Sequence, residues 1–250
     1  MTIYGYRVPM WVALILWFVV WEIIGQSGSV MLIPPFTSIL ASFGEVVSTR
    51  SFNDAISVSL QAFGMGMALS LTIGLSVGFL MARYKAVGDV MGMWINIMES
   101  SPISAVVPLL LAIIGFGMQT MVVTVFLFSV WVIALDTQVG VQHANKSLIE
   151  MARSFGASRW DMYRKVVFWA ALPEILAGIR LGTIRGVKGV IIGQLLIAIT
   201  GVGYLLETYS RKFLMPQFWA LVLIVFGFAY IISEGISYLE RRVAYYAASR

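Results

Sequence analysis

The chain of 250 residues is 60% hydrophobic and only 12% charged, with a mean hydropathy of +0.89, which excludes a water-soluble globular domain and specifies an integral membrane protein. Its net charge of +5 comes from basic residues scattered between apolar runs, with no patch of interleaved aromatics, so nucleic acid is excluded as a partner. Without cysteine there are no disulfides, thiolate metal sites or cysteine nucleophiles, and a single histidine, His143, leaves no histidine-rich metal centre.

In chain order, Arg7 precedes an apolar run from Val8 to Ile24 that carries three tryptophans and no small-x-small cleavage pattern, which predicts an uncleaved first span with Glu22 at headgroup level. Residues 25–55 are polar and rich in Gly, Ser and Pro. Pro34-Pro35 rules out a continuous helix there, so a loop with one interfacial helix is expected. Ile56 to Ala82 is the second span, longer than the roughly 20 residues a crossing needs, and Arg83 and Lys85 end it. Inside it, Gly74-Leu75-Ser76-Val77-Gly78 matches the G-x-S-x-G nucleophile elbow. That motif needs a strand, a strained turn and a histidine partner, so Gly74 and Gly78 read instead as small residues that let helices approach. Pro102 and Pro108 interrupt residues 88–115, which predicts a broken third crossing. Gln119 to Leu135 is the fourth span, closed by Asp136 at the interface.

The longest polar stretch with a helical pattern follows, from Ser147 to Pro173. Ser147 three residues before Glu150 is a capping box, and Leu148, Ala152 and Phe155 make one apolar face. Gly156 supplies the left-handed residue that ends this helix after Phe155. Beyond Ala157, Ser158 and Asp161 repeat the cap spacing, and Trp160, Tyr163 and Val167 make a second stripe, with Arg159, Arg164 and Lys165 off it. The expected unit is helix, glycine turn, helix. Read from spacing alone, it fits equally a hairpin lying on lipid headgroups.

Pro173 then opens a fifth membrane helix, where its missing N–H does no harm. Gly178, Gly182, Gly186, Gly189 and Gly193 fall on one face of it, a stripe read as close packing in preference to pore lining. Val202 to Pro216 is an outer loop and Gln217 to Ser237 the sixth span. Apart from Arg50, Arg211 and Lys212, the 17 lysines and arginines then lie on one side, so the positive-inside rule places both termini and the 147–173 loop in the cytoplasm. The expected fold is an all-α, polytopic membrane protein of about six transmembrane helices forming a single domain over residues 1–250, with the polar loop between spans four and five.

Glu150-Met151-Ala152, three residues and then Gly156, followed by a basic amphipathic helix, resembles the E-A-A-x-x-x-G cytoplasmic loop of ABC importer permeases. The run A-R-S-F-G-A-S-R-W from Ala152 to Trp160 resembles the branch that carries sulfonates, taurine and nitrate. Met151 replaces the usual alanine, and the family's Leu-Pro at the loop's end falls on Phe168-Trp169, with another Leu-Pro at Leu172-Pro173. The likeness extends from about Ser59 to Arg242 and includes I-G-F-G at 114–117 and G-V-G-Y at 201–204. It implies a bacterial inner-membrane permease, a homodimer working with an extracytoplasmic solute-binding protein. It also implies a separate ATPase subunit, which binds ATP with magnesium and docks on the loop at Glu150, Met151, Ala152, Phe155, Gly156, Ala157 and Ser158.

No G-x-x-x-x-G-K-[S/T] loop occurs in the chain, so no enzymatic activity or cofactor is expected in it, and energy must enter from another polypeptide. Ionisable groups inside spans are costly and default to functional candidates, which singles out Glu99 before Ser101-Pro102, and Glu234; the polar Gln194 joins them. The resemblance sets Glu99, Ser101, Pro102 and Gln194 beside the translocation pathway. Its usual pattern has arginine at the Glu99 position and glutamate at the Gln194 position, and loss of the basic group favours a neutral or cationic solute. Glu99 reads alternatively as capped by neighbouring hydroxyls at the broken helix. The competing function is an ion-gradient-driven secondary transporter, suggested by Glu99, Glu234 and the broken span, although no internal repeat of the kind such folds carry is found.

Overall fold

The computed structural model describes residues 2–3, 6–7, 10–144, 146–197 and 200–248. After a two-rung ladder of Thr2–Ile3 with Tyr6–Arg7, everything regular in them is helical. The first helix, α1 (Met10–Ser27), has 18 residues and reaches about 27 Å, slightly less than a hydrocarbon core of about 30 Å.

The interfacial helix expected before the second span is α2 (Phe36–Ser48), and it is not merely interfacial. Its Ile39 and Val46 are buried in a cluster with Ala220 and Leu221 of the last helix. Glu22 does more than meet headgroups. Its carboxylate accepts from the Thr37 backbone N–H at 3.0 Å and the Thr37 hydroxyl at 2.8 Å, which caps the first turn of α2. Then α3 (Arg50–Arg83) runs 34 residues, six longer at its start than the apolar run suggested. Thr49 makes this early start, because its side chain accepts from Phe52 N as an N-cap. Ser76 of the elbow-like motif lies inside this helix and donates to Thr72 O, as any helical serine does.

The broken crossing consists of α4 (Lys85–Ser100) and α5 (Val107–Ile114), joined by a single 3-10 turn and bent by 91°. Only Pro102 breaks it, since Pro108 sits in the first turn of α5, where proline is tolerated. α6 (Met118–Gln142) passes straight through Asp136, so the fourth span does not close there. After the loop helices α7 (Lys146–Ser154) and α8 (Arg159–Met162), five residues of π-helix at Tyr163–Val167 lead into α9 (Phe168–Ile197). Pro173 therefore lies within a helix that has already begun, a correction to its expected role as opener. The expected outer loop contains α10 (Val202–Arg211), with Val202, Leu205 and Leu206 buried, and α11 (Met215–Ala248) completes the chain.

Of the six expected spans, four are long and apolar enough among the described residues: α3, α6, the continuous stretch Arg159–Leu196, and α11. The bent pair is a fifth if taken as one crossing. Packing shows why it carries the chain back. Gly66, Gly74 and Gly78 of α3 meet Val125, Ile133 and Ala134 of α6 in ascending order, so these two helices run parallel. Gly178, Gly182, Gly186, Gly189 and Gly193 of α9 meet Asp136, Ile133, Ser129, Phe128 and Thr124 in descending order, so α9 runs antiparallel to α6. The glycine stripe is thus a packing face, with Ser129 Oγ donating to Gly182 O at 2.8 Å across it. α6 is enclosed on both sides, which is what a helix apolar all round requires. Of its other buried hydroxyls, Thr124 and Thr137 donate within the helix, to Thr120 O and Ile133 O, and Thr120 donates to Gly115 O just before it.

Candidate functional site

The segment between α6 and α9 folds as helix, turn, helix. Gly156 has φ +76°, the left-handed region. Ala157 N–H donates to Ala152 C=O at 3.0 Å and Gly156 N–H to Arg153 C=O at 2.9 Å, the pair of bonds that defines a Schellman turn. A Cβ built on Gly156 meets nothing within 4 Å, so glycine is needed there for its backbone and not for space. Ser158 starts α8 as read from the sequence. Its Oγ accepts from Asp161 N at 3.1 Å and donates to Asp161 Oδ2 at 2.6 Å, and Lys165 ion-pairs with the same carboxylate at 2.8 Å. The first cap differs: Ser147 is the second residue of α7, and the residue before that helix lies outside the described residues. Ser154 Oγ donates to Glu150 O at 3.1 Å, tightening the last turn.

The second apolar stripe divides: Tyr163 and Val167 pack inward, and Trp160 does not. The inward face consists of Ala144, Met162 and Val167, with Ile149, Tyr163 and Ala170 against them, and it fixes the hairpin to the end of α6. Phe155, expected among the docking residues, points outward with Trp160; the two are 84% and 73% exposed, beside Met151 at 52%. Glu150, Gly156 and Ser158 are exposed as well, and Ala152 and Ala157 half-buried. All seven loop candidates are therefore exposed or half-buried on the hairpin, and the described residues leave Met151 and Phe155 largely uncovered.

The membrane candidates separate. Glu99, at the end of α4 just before the break, is held by Arg185 of α9, one guanidinium nitrogen meeting both carboxylate oxygens. Neighbouring hydroxyls do not cap it; Ser101 Oγ turns back to Ile97 O. Arg185 is the residue the sequence reading missed, having counted it with the cytoplasmic charges; its position inside an apolar span was the available signal. Since a basic group does stand at this place, Glu99 gives no ground for a cationic cargo. Glu234 pairs with Arg241 at 2.6 Å on the exposed side of α11.

Gln194, by contrast, is fully buried. Its Oε1 accepts from Ser59 Oγ at 2.9 Å and Gly203 N at 3.0 Å, while Ser59 Oγ accepts from Val202 N at 2.9 Å. These bonds tie α3 and α9 to the start of α10. Ser101 and Pro102 lie exposed at the break itself.

Residues 70–245 match the family described as binding-protein-dependent transport system inner membrane component. The taurine transport system permease protein of Escherichia coli is 24% identical over 223 residues, covering 87% of this chain and 81% of its own. The nitrate import permease protein of Synechocystis is 22% identical over 243 residues, covering 93% and 87% respectively. Among solved structures, an amino acid ABC transporter determined with histidines aligns with a TM-score of 0.64 at 19% identity, over 83% of this chain and 98% of that one.

Proposed function

Because the chain belongs to the binding-protein-dependent transport system inner membrane components, of the sulfonate, taurine and nitrate branch, we propose that its α7–α8 hairpin is where a separate ATPase subunit engages it. The chain is the transmembrane permease of an ABC importer in the inner membrane, and family membership decides this against an ion-gradient-driven carrier.

What supports the coupling role is the outward face of the hairpin, where Met151, Phe155 and Trp160 stand exposed on an element whose other face is anchored to α6. A surface that presents large apolar groups beyond what folding needs marks a contact with a protein or with the membrane, and the chain's membership of an ABC importer family favours the protein. Glu150, Ala152, Gly156, Ala157 and Ser158 shape and flank those groups. ATP and magnesium bind in the docked subunit, and its closure pushes the hairpin, which passes the displacement to α6 and α9. Two copies of the chain form the permease, and an extracytoplasmic binding protein delivers a small solute of the kind its relatives are named for.

Purification of the tagged chain from its native cells in mild detergent tests this. A P-loop ATPase that copurifies with the wild type, and is lost with Phe155→Ala and Gly156→Val, is the expected result. Copurification unaffected by both changes refutes docking at the hairpin.

A further inference from the structure

A groove of about 1130 Å3 opens between the end of α3 and the stretch from Trp160 to Trp169. Its floor is Phe79 of α3 stacked on Phe168 of α9, with ring centroids 6.4 Å apart and planes 15° from parallel. Trp169 meets Phe168 edge-on at 5.7 Å.

The lining changes character along the helix axis. From Ser76 through Phe79 and Leu80 to Arg83 is two turns of α3, about 10 Å of rise. At the Ser76 end the walls are aliphatic and aromatic. At the other end stand Arg83, Arg164 and Lys165, with Tyr84, Tyr163 and Trp160 beside and beyond them. An apolar wall followed by a band of cations and amphipathic rings is the order met on leaving a bilayer's hydrocarbon core. Arg83 lies 5.1 Å over the Tyr84 ring, and Lys165 shares its charge with Asp161, so the rim stays net positive. None of the groove's lining residues is a carboxylate. Arg83 and Tyr163 also line a second cavity, of about 460 Å3, with Arg153 and Arg159, so the positive field continues past the rim.

We infer that this groove holds an anionic glycerophospholipid from the leaflet on the hairpin's side. Its phosphate sits at the Arg83, Arg164 and Lys165 rim and its acyl chains lie along Phe79, Leu80 and Phe168. Basic pockets between membrane helices at the headgroup level recognise such lipids by this combination. A free phosphate would leave the aromatic floor wet, and an apolar peptide would leave the cations unanswered. A lipid with two phosphates gains Arg153 and Arg159 as further partners. The groove shares Trp160 with the face proposed for docking, but the inference rests on Phe79, Phe168, Arg83, Arg164 and Lys165 and uses neither Phe155 nor Gly156.

Native mass spectrometry of the complete transporter, extracted in mild detergent and offered phosphatidylglycerol, cardiolipin or phosphatidylcholine, tests it. The expected result is preferential retention of the two anionic lipids, cardiolipin most strongly. Retention should fall about 30-fold in the Arg83→Gln, Arg164→Gln double variant and persist in the Arg83→Lys, Arg164→Lys one. Should the double variant fail to fold, brominated phosphatidylglycerol in vesicles still reports on the wild type. It must quench tryptophan emission more than brominated phosphatidylcholine does, and that difference must shrink in Trp160→Phe, Trp169→Phe. Equal retention of neutral and anionic lipid overturns the inference, as does displacement of the lipid by inorganic phosphate. Lipid binding by the isolated chain that disappears in the full complex also overturns it, because a protein partner then covers the groove.

Discussion

Gln194 and Ser59, 135 residues apart in the chain, meet in a fully buried hydrogen bond of 2.9 Å in which the glutamine carbonyl accepts. The same oxygen accepts from Gly203 N, so both strong contacts of the side chain use its acceptor, while the amide nitrogen reaches only the Met121 sulfur at 3.9 Å. Glutamate can make both strong bonds. Gln194→Glu is therefore expected to assemble and transport near the wild-type level. Gln194→Leu orphans buried donors and should cost about 3 kcal/mol of stability, read by thermal unfolding in detergent. Equal stability of the two variants would contradict the network as described.

Gly156 offers a test in which space and conformation are separated. Its surroundings are open and its φ is +76°, so a side chain is penalised only by the backbone it must adopt. Gly156→Ala should destabilise the turn by about 1–2 kcal/mol, Gly156→Val by more, and Gly156→Asn by least. Transport should fall in the order Asn, Ala, Val, while expression of the membrane helices holds. Normal uptake in the valine variant would remove the turn from the mechanism.

For Phe155 the expectation is confined to assembly. The side chain is 84% exposed, so truncating it leaves the isolated chain as stable as before. If it is buried on docking, Phe155→Ala loses about 2 kcal/mol of binding, about 30-fold in affinity for the ATPase subunit. Titration of the purified ATPase against both forms measures this directly.

The Glu99–Arg185 pair bridges the broken crossing to α9 across 86 residues of sequence. Glu99→Gln takes away the carboxylate that Arg185 meets and should lower the midpoint of thermal unfolding. The exchange variant, Glu99→Arg with Arg185→Glu, should recover most of the drop in a thermal unfolding series. No recovery would show that the charges act separately.

Two glycines of α3 should answer oppositely to the same substitution. A Cβ on Gly78 falls 2.5 Å from the Ala134 carbonyl oxygen, and backbone cannot yield as a side-chain tip does. On Gly64 it meets nothing within 4 Å. Gly78→Ala is expected to separate α3 from α6 and lower yield and melting temperature, whereas Gly64→Ala should stabilise by up to about 1 kcal/mol through helix propensity.

The parts of this architecture written in local chemistry were legible in the chain. Ser158 and Asp161 stand at cap spacing and do cap; Gly156 stands where a helix must reverse and does; the stripe from Gly178 to Gly193 packs. What periodicity could not tell was which apolar stripe of the hairpin is core. Phe155 and Trp160 have the spacing of buried residues, because a surface kept for another protein obeys the same geometry as one kept for the fold. The partner of Glu99 was hidden for another reason: an ion pair between helices depends on their packing, and Arg185, although within the fifth helix, was counted with the cytoplasmic charges. Likewise Pro173 suggested a boundary, whereas the helix starts earlier at Ser158 and passes a π-helical stretch before reaching it.

The glycines of α3 and α9 set bare backbone against α6 on both of its flanks, and the hairpin follows a few residues after α6 ends at Gln142. Long side chains act as cushions, since they can change rotamer and absorb a small displacement before the next helix feels it. At these contacts the glycine side offers no such cushion. Under the coupling proposed for the hairpin, a push there should reach the middle of the membrane with little damping, α3, α6 and α9 moving together. The softness a transporter needs must then reside elsewhere, at the right-angled break between α4 and α5.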